Sequence, residues 1–406
     1  MKSLEETLAE YDYQFDTAQI ATEPAEPRDS AKLLVYRKAD KSTFFDTFAN
    51  IGEYLPANSV LVLNDTRVFP ARLHCMKKTG GRVEVFYVGE VKSKKEKEKS
   101  NDGQQDDELG GRTATTGRND PQVTDDPSMR LRAGDCILAL TNHFLEVGEK
   151  VFLTPEIFFE VLGKEDKIYT LKPSFPVEDV QKIFQQYGET PIPPYIKNTK
   201  LSEMELREKY QTVFAKNTGS VAAPTASLHF TDELLEKLKK RGIQIEFVTL
   251  HVNLGTFAPL TETALAEGKL HKEWYEVSEK TATALLKAKE EGRPIIAVGT
   301  TAVRTLEEWG KCVELSNVFG GRTSNGRNDL QKYSKGQSSG ETQLFIQPGY
   351  EFKFVDGMIT NFHVPKSSLL MLVSAFVGRE KLFELYQEAM KRNFRLFSFG
   401  DGMLLL

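Results

Sequence analysis

The sequence predicts an α/β fold: a mixed or parallel sheet covered by helices, with a β-rich unit set into the larger domain. Short apolar runs alternate with amphipathic stretches, which is the pattern of a sheet covered by helices. Between Arg67 and about Pro176 that alternation gives way to short strands separated by turns. Inside this region, residues 91–129 carry almost nothing to bury. Disorder is the physical expectation there.

The elements follow in order. "LLVYR" (33–37) and "SVLVL" (59–63) read as strands, and "TFFDTFANIGEYL" between them has helical spacing and ends near Pro56. "RLHCMKK", "TGGR" and "VEVFYV" read as strand, turn and strand; patterning resumes at "LRAGDCILAL" and continues through "VGEKVFLTPEIFFEVL". "TDELLEKLKKRG" is a helix with Thr231 as N-cap, acids in its first turn, bases in its last and Gly242 as its stop. "IQIEFVTL" follows as a strand, "SEKTATALLKAKEEG" as a helix, "RPIIAVG" as a buried strand and "TAVRTLEEWG" as a helix. "FKFVDGMIT" and "KSSLLMLVSAFVG" form a last strand and helix. The expected division is 1–66 with 190–406 for the large domain, 67–189 for the inserted unit, and 315–342 for a polar loop insertion. "GGRTATTGRND" (Gly110–Asp120) recurs as "GGRTSNGRND" (Gly320–Asp329). Two short copies cannot stack into a solenoid; a pair of related surface loops is the simpler reading, and a matched pair of partner-binding loops the alternative.

Composition sets bounds on function. The 406 residues are 40% hydrophobic, enough for a substantial core, and the formal charge of −5 gives no general affinity for polyanions. No segment reaches the roughly 20 apolar residues of a membrane helix. Cys75, Cys136 and Cys312 are far apart and lack CxxC spacing, which argues against a disulfide framework or zinc site and fits a reducing cytoplasm. No HExxH, GxSxG or GxGxxG stands in the required context, so metalloprotease, hydrolase and Rossmann chemistry find no support.

Polar residues instead gather where predicted strands end, the edge at which open α/β sheets place ligands. "HVNLGTFAPL" puts His251, Asn253, Gly255, Thr256 and Phe257 after one strand. "VGTTAVRT" puts Thr300 and Thr301 at a helix N-terminus, with Arg304 one turn inside; amides there hold a carboxylate or phosphate. "TNFHVPKS" adds Asn361, His363 and Lys366. Four of the six histidines, His229, His251, His271 and His363, fall in or beside such turns, although a single histidine is more often structural. "GSVAAPTASLHF" (Gly219–Phe230) is built of small residues, as tight loop packing and close ligand contact both require.

Long blocks carry a resemblance. "AEPRDSAKLLVY", "LVLNDTRVFPARL", "KKTGGRVEVF", "TPIPPYIK", "YQTVFAKNTGSVAAPTASLHFT", "VTLHVNLGTFAPL", "IIAVGTTAVRTLE", "FIQPGYEFKFVDGMITNFHVPKSSLLMLVSAFVGRE" and "FRLFSFGDGMLLL" occur in this order. Together they closely resemble the S-adenosylmethionine:tRNA ribosyltransferase-isomerase family of queuosine biosynthesis. The resemblance implies a large barrel-like α/β domain interrupted by a small β-barrel. It implies a transferase that moves and isomerises the ribosyl part of S-adenosylmethionine onto 7-aminomethyl-7-deazaguanine at the tRNA wobble position. Epoxyqueuosine forms, and adenine and methionine leave. No separate cofactor is implied, since S-adenosylmethionine is consumed as donor. The implied partners are the modified tRNA and S-adenosylmethionine, with no membrane; a monomer is the working expectation.

That chemistry asks for a base near the acidic C5′ protons of the sulfonium and an acid for departing adenine. His229, His251, His271, Glu273 and His363 are the titratable candidates, with base and acid unassigned among them. Thr300, Thr301 and Arg304 suit the methionine carboxylate, and Ala222–Ser227 suits a flat ring. Arg28, Asp29, Ser220, Thr225, Gly255, Thr256, Phe257, Asn361 and Lys366 complete the implied substrate site. For tRNA the densest basic set outside the 91–129 segment and the helix end at Lys239–Arg241 is Arg67, Arg72, Lys77, Lys78 and Arg82, with Lys197 and Lys200 following "PIPPYI". The chain departs from the family at Asn217–Thr218, Ser227, Ala258 and Gly402, and after Val88. These departures admit a divergent paralogue that binds tRNA or another partner without this chemistry. The polar blocks "LHF", "GTTAVRT" and "TNFHVPKS" weigh against such a paralogue.

Overall fold

The structure, a computed structural model, describes residues 3–90, 135–253, 260–318 and 338–406. The segment expected to be disordered (91–129), both copies of the GGRT repeat, and Gly255, Thr256 and Phe257 lie outside the described residues. The chain divides into two compact units, Met1–Pro70 with Glu189–Leu406, and Ala71–Gly188.

The first unit opens with α1 (Leu4–Ala9), β1 (Lys32–Tyr36), β2 (Thr43–Thr47), β3 (Val60–Asn64) and β4 (Thr66–Val68). The helix expected over residues 43–55 is absent. Thr43–Thr47 pairs antiparallel with β1, and only Phe48–Glu53 turns, as a 3-10 segment. β-Branched and aromatic residues beside a buried strand gain more from pairing than from a lone helix.

The second unit contains β5 (Arg72–Lys77), β6 (Arg82–Glu90), β7 (Ile137–Thr141), β8 (Lys150–Phe152), β9 (Phe158–Glu165), β10 (Ile168–Pro173) and α2 (Val180–Tyr187). The strands close into a barrel in the order β10-β7-β6-β5-β8-β9, which removes unpaired edges. Every second residue points inward, as with Leu73 and Cys75, Val83 and Val85, and Ile137 and Ala139. Arg67 belongs to the first unit and not to this one, because β4 pairs with Asn217–Ser220, a strand of that unit.

The chain then adds α3 (Glu203–Lys209), β11 (Asn217–Ser220), α4 (Asp232–Lys240), β12 (Gln244–Leu250), α5 (Glu262–Glu267), β13 (Lys269–Val277), α6 (Glu279–Glu290), β14 (Ile295–Val298), α7 (Thr300–Val318), β15 (Ser338–Leu344), β16 (Gly357–Asn361), α8 (Ser368–Val377), α9 (Arg379–Lys391) and β17 (Gly402–Leu405). Residues 315–342 are thus not wholly a loop insertion. Their first residues finish α7, and Ser338–Thr342 pairs with β13. "FKFVDGMIT" is strand only from Gly357. A Cβ at that glycine would come within 2.7 Å of Ile296 Cδ1 and 3.0 Å of the Leu405 carbonyl oxygen, so a larger residue would press on both neighbouring strands.

The large sheet is mixed, in the order β15-β13-β12-β3-β14-β16-β17-β1-β2. β12, β3, β14 and β16 run parallel, so their C-terminal ends share one edge. β3 and β14 are buried along their whole length because both faces are covered. Val60, Val62, Ile295 and Ala297 face the core under α6, α7, α8 and α9; Leu61, Leu63, Ile296 and Val298 face α4 and Phe48.

Candidate active site

A cavity of about 410 Å³ opens beyond the C-terminal ends of β14 and β16. Ala222–Ala226 forms one wall, Gly299–Thr301 the start of α7, and Thr360–Leu369 the turn after β16; Tyr195, Phe397 and Ser398 add polar and aromatic surface. Gly299, at φ +86°, lets the chain leave β14 and enter α7 at once, and its amide donates to the Ile359 carbonyl at 2.7 Å. The next amides of α7 are open to an anion. Thr300 and Thr301 lie beside them at the cavity wall.

The small-residue segment serves packing and cavity together. Ser220 Oγ donates to the Ala222 carbonyl at 2.7 Å and accepts from the Val252 amide at 3.0 Å, so it is a structural tie. Ala222–Ala226 then faces the cavity, Thr225 included, while Ser227 and Phe230 are fully buried. His229 is buried with them, its ring 4.6 Å from that of Phe48, and its Nε2 has no partner among the described residues. Burial first, then the positive charges of Arg395 and Arg28, push its pKa down to about 3. His229 does not line the cavity.

The other catalytic candidates separate. His251 stacks on Trp274 at 4.9 Å, shares a 2.8 Å hydrogen bond between its Nδ1 and Thr66 Oγ1, and is shifted downward by burial. A Cβ at Gly219 would lie 2.6 Å from its Nε2, so this packing depends on glycine. Glu273 lies not in a turn but in β13, 2% exposed, and accepts from Arg304 Nη1 and the Asn253 amide. Arg304 also donates to the Leu344 carbonyl. This pair, with His271 on the same strand, borders a separate void of about 20 Å³ and not the large cavity. Of the five catalytic candidates, His363 alone lines the cavity. Burial lowers its pKa to about 4, and its Nε2 shares a 2.7 Å hydrogen bond with Thr360 Oγ1.

Among the substrate candidates, Thr225, Thr300, Thr301, Asn361 and Lys366 line the cavity. Lys366 Nζ pairs with Asp12 at 3.0 Å. Arg28 donates instead to the Gln211 and Glu208 carbonyls, and neither it nor Asp29 reaches the cavity. Sequence reading missed Tyr195 and Ser398, whose hydroxyls lie 2.6 Å apart, and Asn64 and Asp65. Asp65 accepts from Thr249 and Asn217, and burial raises its pKa. The polar pair "ND" closing an apolar run is the signal that could have found the latter two.

In the barrel unit, Arg72 pairs with Glu84 and Lys77 with Glu149. Lys78 and Arg82 are exposed, flank the β5–β6 turn, and have no ion pair among the described residues. Arg67 is exposed on β4 of the other unit.

His229 makes a sharp prediction about stability. Its pKa is about 3 when folded, below the ordinary 6.5, so between those values only the unfolded chain takes the proton. The stability it contributes is complete above pH 6.5 and is lost as pH falls toward 3. Denaturant titrations from pH 7 to 4 should show His229→Asn losing less stability than the parent, by up to about 1.4 kcal/mol per pH unit. Parallel curves for the two proteins would contradict a buried neutral imidazole.

Residues 8–405 match the family described as queuosine biosynthesis protein. S-adenosylmethionine:tRNA ribosyltransferase-isomerase from Thermotoga petrophila is 39% identical over 98% of this chain and 99% of its own. The enzyme of the same name from Aquifex aeolicus is 38% identical over the same shares. The crystal structure of S-adenosylmethionine tRNA ribosyltransferase from Thermotoga maritima is 28% identical, covering 98% of this chain and 100% of that one, with a TM-score of 0.48. The chain belongs to the queuosine biosynthesis protein family.

Proposed function

We propose that this protein is an S-adenosylmethionine:tRNA ribosyltransferase-isomerase acting in the cytoplasm. It transfers the ribosyl group of S-adenosylmethionine to 7-aminomethyl-7-deazaguanine at the wobble position and rearranges it to epoxyqueuosine, releasing adenine and methionine. The observation that carries this reading is full-length similarity, 36–39%, to relatives bearing that name. The cavity supports it chemically. The Ala222–Ala226 wall offers a flat ring the close approach that small side chains permit. The α7 N-terminus, with the Thr300 and Thr301 hydroxyls, offers donors to the methionine carboxylate. Tyr195 and Phe397 bring aromatic surface to a cationic sulfonium. S-Adenosylmethionine is the consumed donor in this reading, with no separate cofactor.

His363 is our candidate base. Its lowered pKa keeps the imidazole neutral at pH 7, the form that can take a proton, while making it a weaker base than an ordinary histidine until substrate changes its surroundings. The Thr360 hydroxyl fixes the ring. Glu273 and Arg304 neutralise each other and act as a brace between β13 and α7.

Two outcomes follow. Purified protein given S-adenosylmethionine and an anticodon stem-loop bearing the aminomethyl base should release adenine in step with the mass gain of the RNA, read by mass spectrometry. S-Adenosylhomocysteine with a methylated RNA would point to methyl transfer instead. For tRNA docking, the exposed pair at the β5–β6 turn replaces Lys77 as the informative site. Lys78→Ala/Arg82→Ala should raise the Michaelis constant for tRNA and reduce the salt slope by up to about two. Equal tRNA affinity and slope in the double variant would remove this turn from the docking face.

A further inference from the structure

Asn361 ends β16, is 2% exposed and lines the cavity. Its side-chain nitrogen donates to the Phe397 carbonyl at 3.1 Å. A carbonyl can only accept, so the group facing it is the NH2 and the orientation of the amide is fixed by chemistry. The oxygen, Oδ1, then has no donor among the described residues. Native proteins rarely leave a buried acceptor in that state.

The backbone beside it is strained as well. Phe397 sits at φ +72°, a region bulky residues avoid. Its amide is tied to the Phe362 carbonyl and its own carbonyl to Asn361. An unusual backbone held in place at a cavity wall is a recurring mark of a binding site.

Complementary donors lie one strand away. β14 pairs in parallel with β16, Val298 opposite Ile359, so Asn361 stands beside the first residues of α7, about 4.8 Å across the sheet. On that side Thr301 Oγ1 accepts from Asn64 Nδ2 at 3.2 Å, and its hydroxyl hydrogen has no acceptor among the described residues. Asn64 is itself fully occupied by Leu250 and Thr66. Thr301 is thereby held as a donor, next to the open amides of α7.

We infer that this pole of the cavity is an α-amino-acid subsite, in which Asn361 Oδ1 accepts from the ligand's α-ammonium while the start of α7 receives its α-carboxylate. The two groups share one carbon in the ligand, as the donor and acceptor sets here share one strand spacing. A neutral amide suits the ammonium because it accepts N–H without burying a further charge. The inference rests on the reading that S-adenosylmethionine is the substrate.

The test uses the intact protein and two analogues that keep adenosine and sulfonium, one lacking the α-amino group and one lacking the α-carboxylate. Calorimetry should show each binding at least tenfold more weakly than S-adenosylmethionine. Asn361→Ala should bind the amine-free analogue and S-adenosylmethionine equally, while still rejecting the carboxylate-free one. If the parent protein binds the amine-free analogue as tightly as S-adenosylmethionine, the subsite is wrong and the functional reading stands. The subsite is equally wrong if Asn361→Ala keeps the tenfold preference. If S-adenosylmethionine itself does not bind, both are overturned.

Discussion

One buried amide fixes the edge on which the cavity is built. Asn64, fully buried at the end of β3, donates to the Leu250 carbonyl and Thr301 Oγ1 and accepts from the amides of Leu250 and Thr66. All four hydrogen-bonding positions of the side chain are used. They join the end of β12, the start of β4 and the start of α7. Truncation would leave the buried Leu250 and Thr66 amides without those acceptors, at roughly 1–3 kcal/mol each. Asp65 extends the same junction to Asn217 and Thr249. The cavity wall at Thr301 is therefore positioned by the sheet itself and not by a loop.

Charge is managed around the cavity more than inside it. The buried Arg304–Glu273 pair sits beside a different void, and Lys366 is held by Asp12 at the rim. A buried pair of this kind resists the loss of either partner strongly, yet adds little over an apolar pair. The histidines follow the same logic: burial keeps His229 and His363 uncharged at neutral pH. The cavity wall is largely aliphatic, with Thr and Ser hydroxyls and the Tyr195, Phe362 and Phe397 rings set into it; such a wall suits a cationic sulfonium substrate that brings its own charge.

The parts of the fold that repeat a period are legible in the residues. β3 and β14 are continuous apolar runs between turn signals, and α4 carries its cap, charges and glycine stop as its residues dictate. β2 reads as helix because its aromatic spacing suits one until β1 lies beside it. β15, "SSGETQL", has almost no apolar residues and exists through its pairing with β13. At the site, "GTTAVRT" and "TNFHVPKS" stand out because strand ends place ligands, and both line the cavity in part. Arg304 reads as a ligand contact because a sequence shows proximity to a helix start but not the carboxylate waiting on β13. Ser220, Arg28 and the catalytic candidate His251 do not line the cavity for a related reason: their partners are backbone groups or side chains distant in the chain.

The central claim is that the edge organised by Asn64 is where the sulfonium nucleoside binds. A crystal structure of the protein soaked with S-adenosylmethionine tests it most directly. The account predicts density for the adenine ring against Ala222–Ala226 and for the methionine carboxylate within hydrogen-bond distance of the α7 N-terminus. Ligand density confined to the void beside Glu273 and Arg304, or to the barrel unit, would contradict it.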